Sequence, residues 1–235
     1  MKEILPDIYL MEGTNVVNVY LLVNGSQLAL IDTGMPGNGQ RIVDQLRAAG
    51  FEPSQLAYVL VTHAHVDHIG SLAELVQLTG AKVAAHKDDA PYIQEKKPLP
   101  SHSWLRRILN SLTPMLTGLK PVHIDRILED QDQLDILGGL TVIHTPGHTP
   151  GSVSYYQLKR QILFCGDAIL NRNPVTGKKG LTLPLKSVTF DQDLARHSVE
   201  KLSHLPIEAL LPGHGEPLLE EVNAKINDLL RNKSS

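Results

Sequence analysis

Cysteine is nearly missing from this chain. Cys165 is the only one in 235 residues, so no intramolecular disulfide can form and the fold rests on its core. Aromatic residues are scarce as well, at 4%, which leaves Leu, Val, Ile and Ala to build that core; a hydrophobic content of 42% supplies enough of them. Long apolar runs are absent, and no segment nears the roughly 18 residues a membrane-spanning helix needs. Positive charge is not in excess either. Lys and Arg number 22 against 25 Asp and Glu, a net charge of −3, and a chain without a basic face is a poor match for nucleic acid. Residues 1–7 hold no apolar run and reach Pro6 early, so they do not read as a signal peptide, and the cytoplasm is the expected compartment.

What the chain does have is histidine, eleven in all. Their setting is a series of short elements. Residues 16–23 and 27–31 read as strands joined by the turn Asn24-Gly25-Ser26. Residues 38–50 change to a helical period, with Ile42, Val43, Leu46 and Ala49 on one face. A buried strand at 57–61, a helical stretch at 69–78 and a strand at 82–85 follow. Prolines at 91, 98, 100, 114 and 121 then interrupt the pattern around one amphipathic stretch, 104–112, so 88–121 reads as a partly helical insertion. Strands return at 140–144, 152–156 and 162–165, and 171–186 reads as a loop. A helix at 191–205 has Asp191 as its N-cap, with a strand at 207–211 and a helix at 216–230 completing the chain. Strands and helices alternate twice without a linker, so residues 1–235 are expected to form a single layered α/β domain carrying the insertion.

The chemistry sits where the strand at 57–61 stops, in Thr62-His63-Ala64-His65-Val66-Asp67-His68. Alternate residues of an extended chain project to one side, so His63 and His65 can approach one ion together. As the chain turns into a helix, Asp67 and His68 swing toward a second position. Imidazole with carboxylate suits zinc, iron or manganese better than calcium or magnesium. A surface loop would gain no stability from gathering three imidazoles and a carboxylate. Three further residues have the same setting: His148 in Thr145-Pro146-Gly147-His148-Thr149-Pro150-Gly151, Asp167 after Ile162-Leu163-Phe164-Cys165-Gly166, and His214 in Leu211-Pro212-Gly213-His214-Gly215. Each lies just past a strand, with glycine beside it to let the backbone come close. Together they supply enough ligands for two ions.

On these motifs the chain resembles the metallo-β-lactamase superfamily, from Asp32 in Ile31-Asp32-Thr33-Gly34 through His214. The resemblance implies a four-layer αββα sandwich, the metallo-β-lactamase fold, with the metal site at one edge between the two sheets. It implies that His63, His65 and His148 hold one ion, that Asp67, His68 and His214 hold the other, and that Asp167 bridges them. Asp32 is implied as a hydrogen-bonding residue behind the ligands. The cofactors would be two divalent ions, zinc first and iron or manganese as alternatives. Two such cations lower the pKa of a shared water so that hydroxide exists at neutral pH and can attack an ester, thioester or lactone carbonyl. Asp67 and Asp167 are then the candidates to accept and return a proton.

The branches of the family separate on particular residues. Its β-lactamases generally carry Cys or Ser in place of the bridging aspartate, whereas Asp167 is present here; Cys165, two residues earlier, reads as a small buried filler. Glyoxalase II-like thioesterases share the ligands but usually add a helical C-terminal region for glutathione, and only 21 residues follow His214. Quorum-quenching lactonases share the ligands and usually place a tyrosine shortly after the bridging aspartate, where this chain continues Ala168-Ile169-Leu170-Asn171. The expected class is a small glyoxalase II-like or lactonase-like hydrolase with a small-molecule substrate and no nucleic-acid or membrane partner; self-association is left open. The alternatives are an iron dioxygenase of thiol-derived substrates, built on His63, His148 and Asp167, and a phosphodiesterase, nuclease or β-lactamase of the same fold. Trp104, Leu105 and Ile108 in the insertion are expected to wall the substrate pocket. His86, His102, His123, His144, His197 and His204 fall outside the ligand pattern and read as surface or packed residues.

Overall fold

The computed structural model describes residues 1–14, 16–101 and 104–232, with the side chains of residues 104–107, 109 and 114 outside that description. The chain opens as a meander of β1 (Lys2–Leu5), β2 (Ile8–Leu10), β3 (Tyr20–Asn24) and β4 (Gln27–Ile31), paired antiparallel in that order. Beyond β4 the pairing turns parallel, and parallel strands need crossovers. Helix α1 (Gly39–Ala48) leads to β5 (Leu56–Leu60), α2 (Val66–Ile69) and α3 (Leu72–Thr79) lead to β6 (Lys82–His86), and α4 (Ala90–Gln94) and α5 (Trp104–Thr117) lead to β7 (Arg126–Leu128). These seven strands form the first sheet in chain order.

The second sheet has five strands. β8 (Gln133–Leu134), β9 (Leu140–His144), β10 (Val153–Gln157) and β11 (Ile162–Gly166) run antiparallel. A separate ribbon of β12 (Leu170–Arg172) and β13 (Lys179–Thr182) follows, then α6 (Gln192–Ser203), which returns the chain to β14 (Ala209–Pro212), parallel to β11. Helix α7 (Val222–Arg231) ends the described chain.

Strand alternation assigns the faces. Leu22, Ala29, Ile31 and Leu60 of the first sheet meet Val142, Tyr155, Phe164 and Leu211 of the second in a core between the sheets. The alternate residues point outward: Leu21, Leu30, Val59 and Val83 pack against Ile42 and Leu46 of α1 and Leu72 and Leu75 of α3. On the far side Ile143, Tyr156, Leu163 and Leu210 pack against Val199 and Leu202 of α6 and Ile226 and Leu229 of α7. Both sheets are thus buried on both faces, as their near-continuous apolar runs require. The result is the αββα sandwich, and each fully buried Leu, Ile or Val in it contributes about 1.5–3 kcal/mol. Asp191 caps α6 as expected, its side chain accepting a 2.9 Å bond from Leu194 N. Among the described residues no helix is long and apolar enough to cross a membrane.

Some elements differ from the sequence reading, each for a local reason. Residues 16–19 are not strand, because their polar groups are used elsewhere: Val16 O and the Asn18 side chain hold the segment around His214. The stretch 171–186 is largely the β12–β13 ribbon rather than a loop. The last helix begins at Val222 instead of 216, since Leu218 first makes an antiparallel bridge to Leu210. In 88–121, α5 runs to Thr117, past Pro114.

Candidate metal centre

Every residue singled out by the histidine-rich motifs lies at the carboxyl end of a strand, where loops of the two sheets meet. Asp32 follows β4, His63 to His68 follow β5 and open α2, His148 lies between β9 and β10, Asp167 follows β11, and His214 follows β14. The sheets are laced together at this edge. Val153 N donates to Thr62 O at 2.9 Å, and the Tyr155 hydroxyl donates to Val61 O at 2.7 Å. Gly213 N donates to Gly166 O at 2.8 Å, bringing the Asp167 and His214 loops into contact. A Cβ on Gly213 would lie 2.3 Å from Asp167 Oδ1, so only glycine lets these strands approach. Gly147, beside His148, has φ +131°, and a Cβ there would meet the backbone of α6 at Ala195.

The structure brings all seven candidate ligands together. Potential ligand atoms of His63, His65 and His148 lie within 4.8 Å of one another, as do those of Asp67, His68 and His214, and those of His63, His68 and Asp167. Asp167 stands between the two triads, with Oδ2 3.3 Å from both His148 Nε2 and His214 Nε2, and Oδ1 3.4 Å from His68 Nε2. Asp67 Oδ2 is 3.3 Å from His214 Nε2.

Hydrogen bonds behind the cluster fix which ring nitrogen faces inward. Asp32, in the left-handed region at φ 62°, accepts from Thr62 N at 2.8 Å, from the Thr62 hydroxyl at 2.7 Å and from His68 Nδ1 at 2.7 Å. Because that hydroxyl spends its hydrogen on Asp32, it accepts from His63 Nδ1, 3.0 Å away. Asp32 thus orients two imidazoles, one directly and one through Thr62, and leaves Nε2 of each turned to the centre. Likewise His214 Nδ1 donates to Val16 O at 2.7 Å. The Thr189 hydroxyl donates to Leu185 O, so it accepts from His148 Nδ1 at 3.2 Å. After this arrangement, His63 Nε2, His68 Nε2 and Asp167 Oδ1 are buried without a hydrogen-bond partner. An unpartnered buried polar atom costs about 1–3 kcal/mol. Three of them facing one point suit a cation.

A model of the metallo-beta-lactamase superfamily matches residues 13–214. The chain belongs to that superfamily. It is 32% identical over 217 residues to "Probable metallo-hydrolase YflN" of Bacillus subtilis, covering 86% of this chain and 82% of the relative. It is also 32% identical over 213 residues to "Probable metallo-hydrolase YqgX" of the same organism, covering 86% and 87%. The fold is that of the metallo-beta-lactamase family protein TTHA1429 from Thermus thermophilus, with a TM-score of 0.75 at 23% identity over 97% of this chain and 80% of that one. The B3 metallo-beta-lactamase BLEG-1 gives a TM-score of 0.70 at 25% identity, over 93% and 97%.

The charge in this metallo-hydrolase's centre is uneven. Burial and the neighbouring imidazoles hold His63 well below its ordinary pKa, and burial with His148 lowers His65 to about 3. At the other end, against the effect of burial, Asp167, Asp32 and Asp67 raise His68, and Asp167 and Asp67 raise His214 to about 10. In return, His214 and His68 hold Asp167 well below the carboxylate range despite its burial. His63 and His65 are thus held in the neutral form at the all-nitrogen end, while at the other end the carboxylates favour the protonated form of His68 and His214.

Asp89 was missed by the sequence reading. It is 1% exposed, and burial raises its pKa against the pull of its hydrogen bonds. Its Oδ2 accepts from Ala64 N at 2.8 Å and from the Thr149 hydroxyl at 2.7 Å, and its Oδ1 accepts from Gly151 N at 2.7 Å. One carboxylate therefore clamps the His63–His65 turn to the His148 loop. The only hint in the sequence was an acidic residue shortly after a buried strand, which is common in any loop.

Above the ligands lies a cavity of about 320 Å³. Its walls are mostly apolar, with Val66 and Ile69 of α2, Tyr92 of α4, and Leu170, Val175 and Leu185 from the second half of the chain; Lys97 stands at the side. The insertion does contribute, though not through Ile108. Asn110 and Thr113 of α5 face the cavity, while Ile108 is 49% exposed and is not among its lining residues. Asn110 anchors the helix by donating to Leu99 O at 2.8 Å, which turns the polar edge of α5 inward and the Ile108 side outward. The side chains of Trp104 and Leu105 lie outside the described residues, as does His102. Cys165 is buried among Leu163, Val199 and Leu210, and burial raises its thiol pKa, which fits a packing role.

Proposed function

We propose that this chain hydrolyses the carbonyl bond of a small ester, thioester or lactone with two divalent ions, zinc foremost. The observation that carries the reading is the set of buried, unpartnered atoms His63 Nε2, His68 Nε2 and Asp167 Oδ1 beneath a mostly apolar cavity. His63, His65 and His148 would hold one ion, Asp67, His68 and His214 the other, and Asp167 would touch both. The chemistry such ions supply when bound is acidification of water and polarisation of a carbonyl oxygen. The protein's own residues do the rest. Asp32 keeps His63 and His68 in the ligating tautomer, and Asp89 holds the two ligand loops in register. Asp67 and Asp167 offer carboxylate oxygens to take a proton from the attacking water and return it to the departing alkoxide or thiolate. Hydrolysis then yields a carboxylic acid and an alcohol or thiol. A cavity of this size suits a small ligand, and its apolar walls favour an uncharged acyl part. The acidic charge balance supports a small molecule rather than nucleic acid as partner, and the reading takes the enzyme as cytoplasmic.

A β-lactam is the second candidate substrate, because BLEG-1 shares the fold over nearly its whole length. The carboxylate of Asp167 between the triads argues for the ester-type substrates. The test is metal analysis of the purified protein with a rate screen over esters, thioesters, lactones, β-lactams and phosphodiesters. Turnover of the first three with two equivalents of zinc is the expected result. Hydrolysis confined to β-lactams or phosphodiesters, or oxygen consumption with a single bound iron, would overturn the proposal.

A further inference from the structure

A second group of metal-ligating side chains lies outside the seven-residue centre. His86 ends β6 of the first sheet, His144 ends β9 of the second, and Asp88 lies in the turn after β6. A ring nitrogen of each histidine and a carboxylate oxygen of Asp88 all lie within 4.8 Å of one another. The two rings are stacked, 4.0 Å apart and inclined by 14°. His86 is buried, at 2% exposure, while Asp88 is exposed on its outer side, so the group opens to solvent from one direction.

The local hydrogen bonds leave this group rich in lone pairs and without a cation. His144 Nε2 donates to Pro150 O at 2.9 Å, which leaves its Nδ1 for other partners. Asp88 N donates to His86 Nδ1 at 3.3 Å, so the lone pair of that nitrogen is held only by a long hydrogen bond that an entering ion would displace, and Asp88 Oδ2 lies 3.6 Å from it. Burial and the neighbouring His144 lower the His86 pKa to about 4, so the ring is in its neutral, ligating form near pH 7. The adjacent cations already have partners: Lys87 pairs with Glu129 at 3.2 Å, and Lys201 pairs with Asp130 at 3.1 Å and donates to the backbone oxygen of His144 at 3.3 Å. Two ligands at ~2.0–2.1 Å from one tetrahedral ion stand about 3.4 Å apart, close to the separation of His86 Nδ1 and Asp88 Oδ2.

We propose that His86, Asp88 and His144 form an accessory site for a first-row divalent cation, separate from the catalytic centre. The donor set, two imidazoles and a carboxylate, suits zinc, copper or nickel. The rings open from their stack by side-chain rotation as the ion enters, and water completes the coordination. Because its histidines come from different sheets, a bound ion cross-links the sandwich one residue away from Asp89, the clamp of the catalytic loops. The site is a fastening between the sheets, and it stands or falls independently of the hydrolytic reading.

Zinc titration by equilibrium dialysis of the full chain tests it, with bound metal counted for the wild type, His144→Gln and Asp88→Asn. The wild type should hold one zinc more than either variant, and added zinc should raise the Tm of the wild type beyond that of the variants. Hydrolytic turnover should be the same in all three. The same comparison on a His63→Ala, His68→Ala background keeps the result separate from the catalytic centre, since the His144-dependent zinc should persist there. Equal zinc counts in wild type and Asp88→Asn, which alters only an exposed side chain, would overturn the proposal. So would a His144→Gln protein that is folded by circular dichroism and still binds the extra ion.

Discussion

Asp89 is not itself a candidate ligand, yet it holds two ligand loops by three hydrogen bonds from Ala64, Thr149 and Gly151. An asparagine there keeps the shape but sets a donor against a donor, at a cost of about 1–3 kcal/mol. We expect Asp89→Asn to lower kcat/KM by roughly ten- to a hundredfold and to weaken zinc binding, the scale seen when groups behind metal ligands are changed. Far-UV circular dichroism should be unaltered. A cobalt-substituted variant with a wild-type visible spectrum would show that the clamp does not shape the centre. Asp67 and His68 call for a blunter test. Asp67→Ala and His68→Ala should each abolish hydrolysis and leave a folded protein, because the core between and outside the sheets does not depend on them. Near wild-type turnover in either variant would refute two-ion hydrolysis.

Among the elements, α5 and the β12–β13 ribbon frame the cavity mouth, and here the sequence was least informative. The long buried strands were legible because apolar runs such as 28–31, 162–165 and 209–211 have no other place to go. The ligands were legible because His-x-His-x-Asp-His serves no packing purpose. Short, half-exposed strands such as β7, β8 and β13 carry no such signal, and the sandwich supplies their pairing only after it forms. Ile108 misled for a related reason. A rim helix has apolar residues on more than one side, and the Asn110–Leu99 bond, which no periodicity encodes, sets which side turns inward. A substitution on each face of α5 checks this orientation. Thr113→Phe should fill the cavity and raise KM for long-chain substrates severalfold more than for short ones, with metal content unchanged. Met115→Ser, at a position 74% exposed, should leave both KM values alone. Equal effects from the two would mean that α5 turns a different face to substrate.

At the scale of the whole molecule, the centre is a seam. His63 and His68 follow a strand of the first sheet, Asp167 and His214 follow strands of the second, and the unpartnered atoms face each other across the join. Ions held there would bind only the assembled sandwich. Zinc at about a hundred times its Kd adds roughly 2.7 kcal/mol to stability. For a chain of this size that corresponds to roughly 5–10 °C in Tm. We therefore expect EDTA to lower the Tm by that order and zinc to restore it in a variant lacking His144, which isolates the centre. An unchanged midpoint on chelation would mean that the seam is held without metal. The spacing of the ligands also matters during biosynthesis. His63 to His68 leave the ribosome about a hundred residues before Asp167 and about a hundred and fifty before His214. A nascent chain thus displays imidazoles long before the carboxylate that would join the two subsites exists. An ion met at that stage would find only part of the ligand set. Occupation by all seven ligands would therefore have to wait until the last strand has docked, and the metal taken up would be one available to the finished protein.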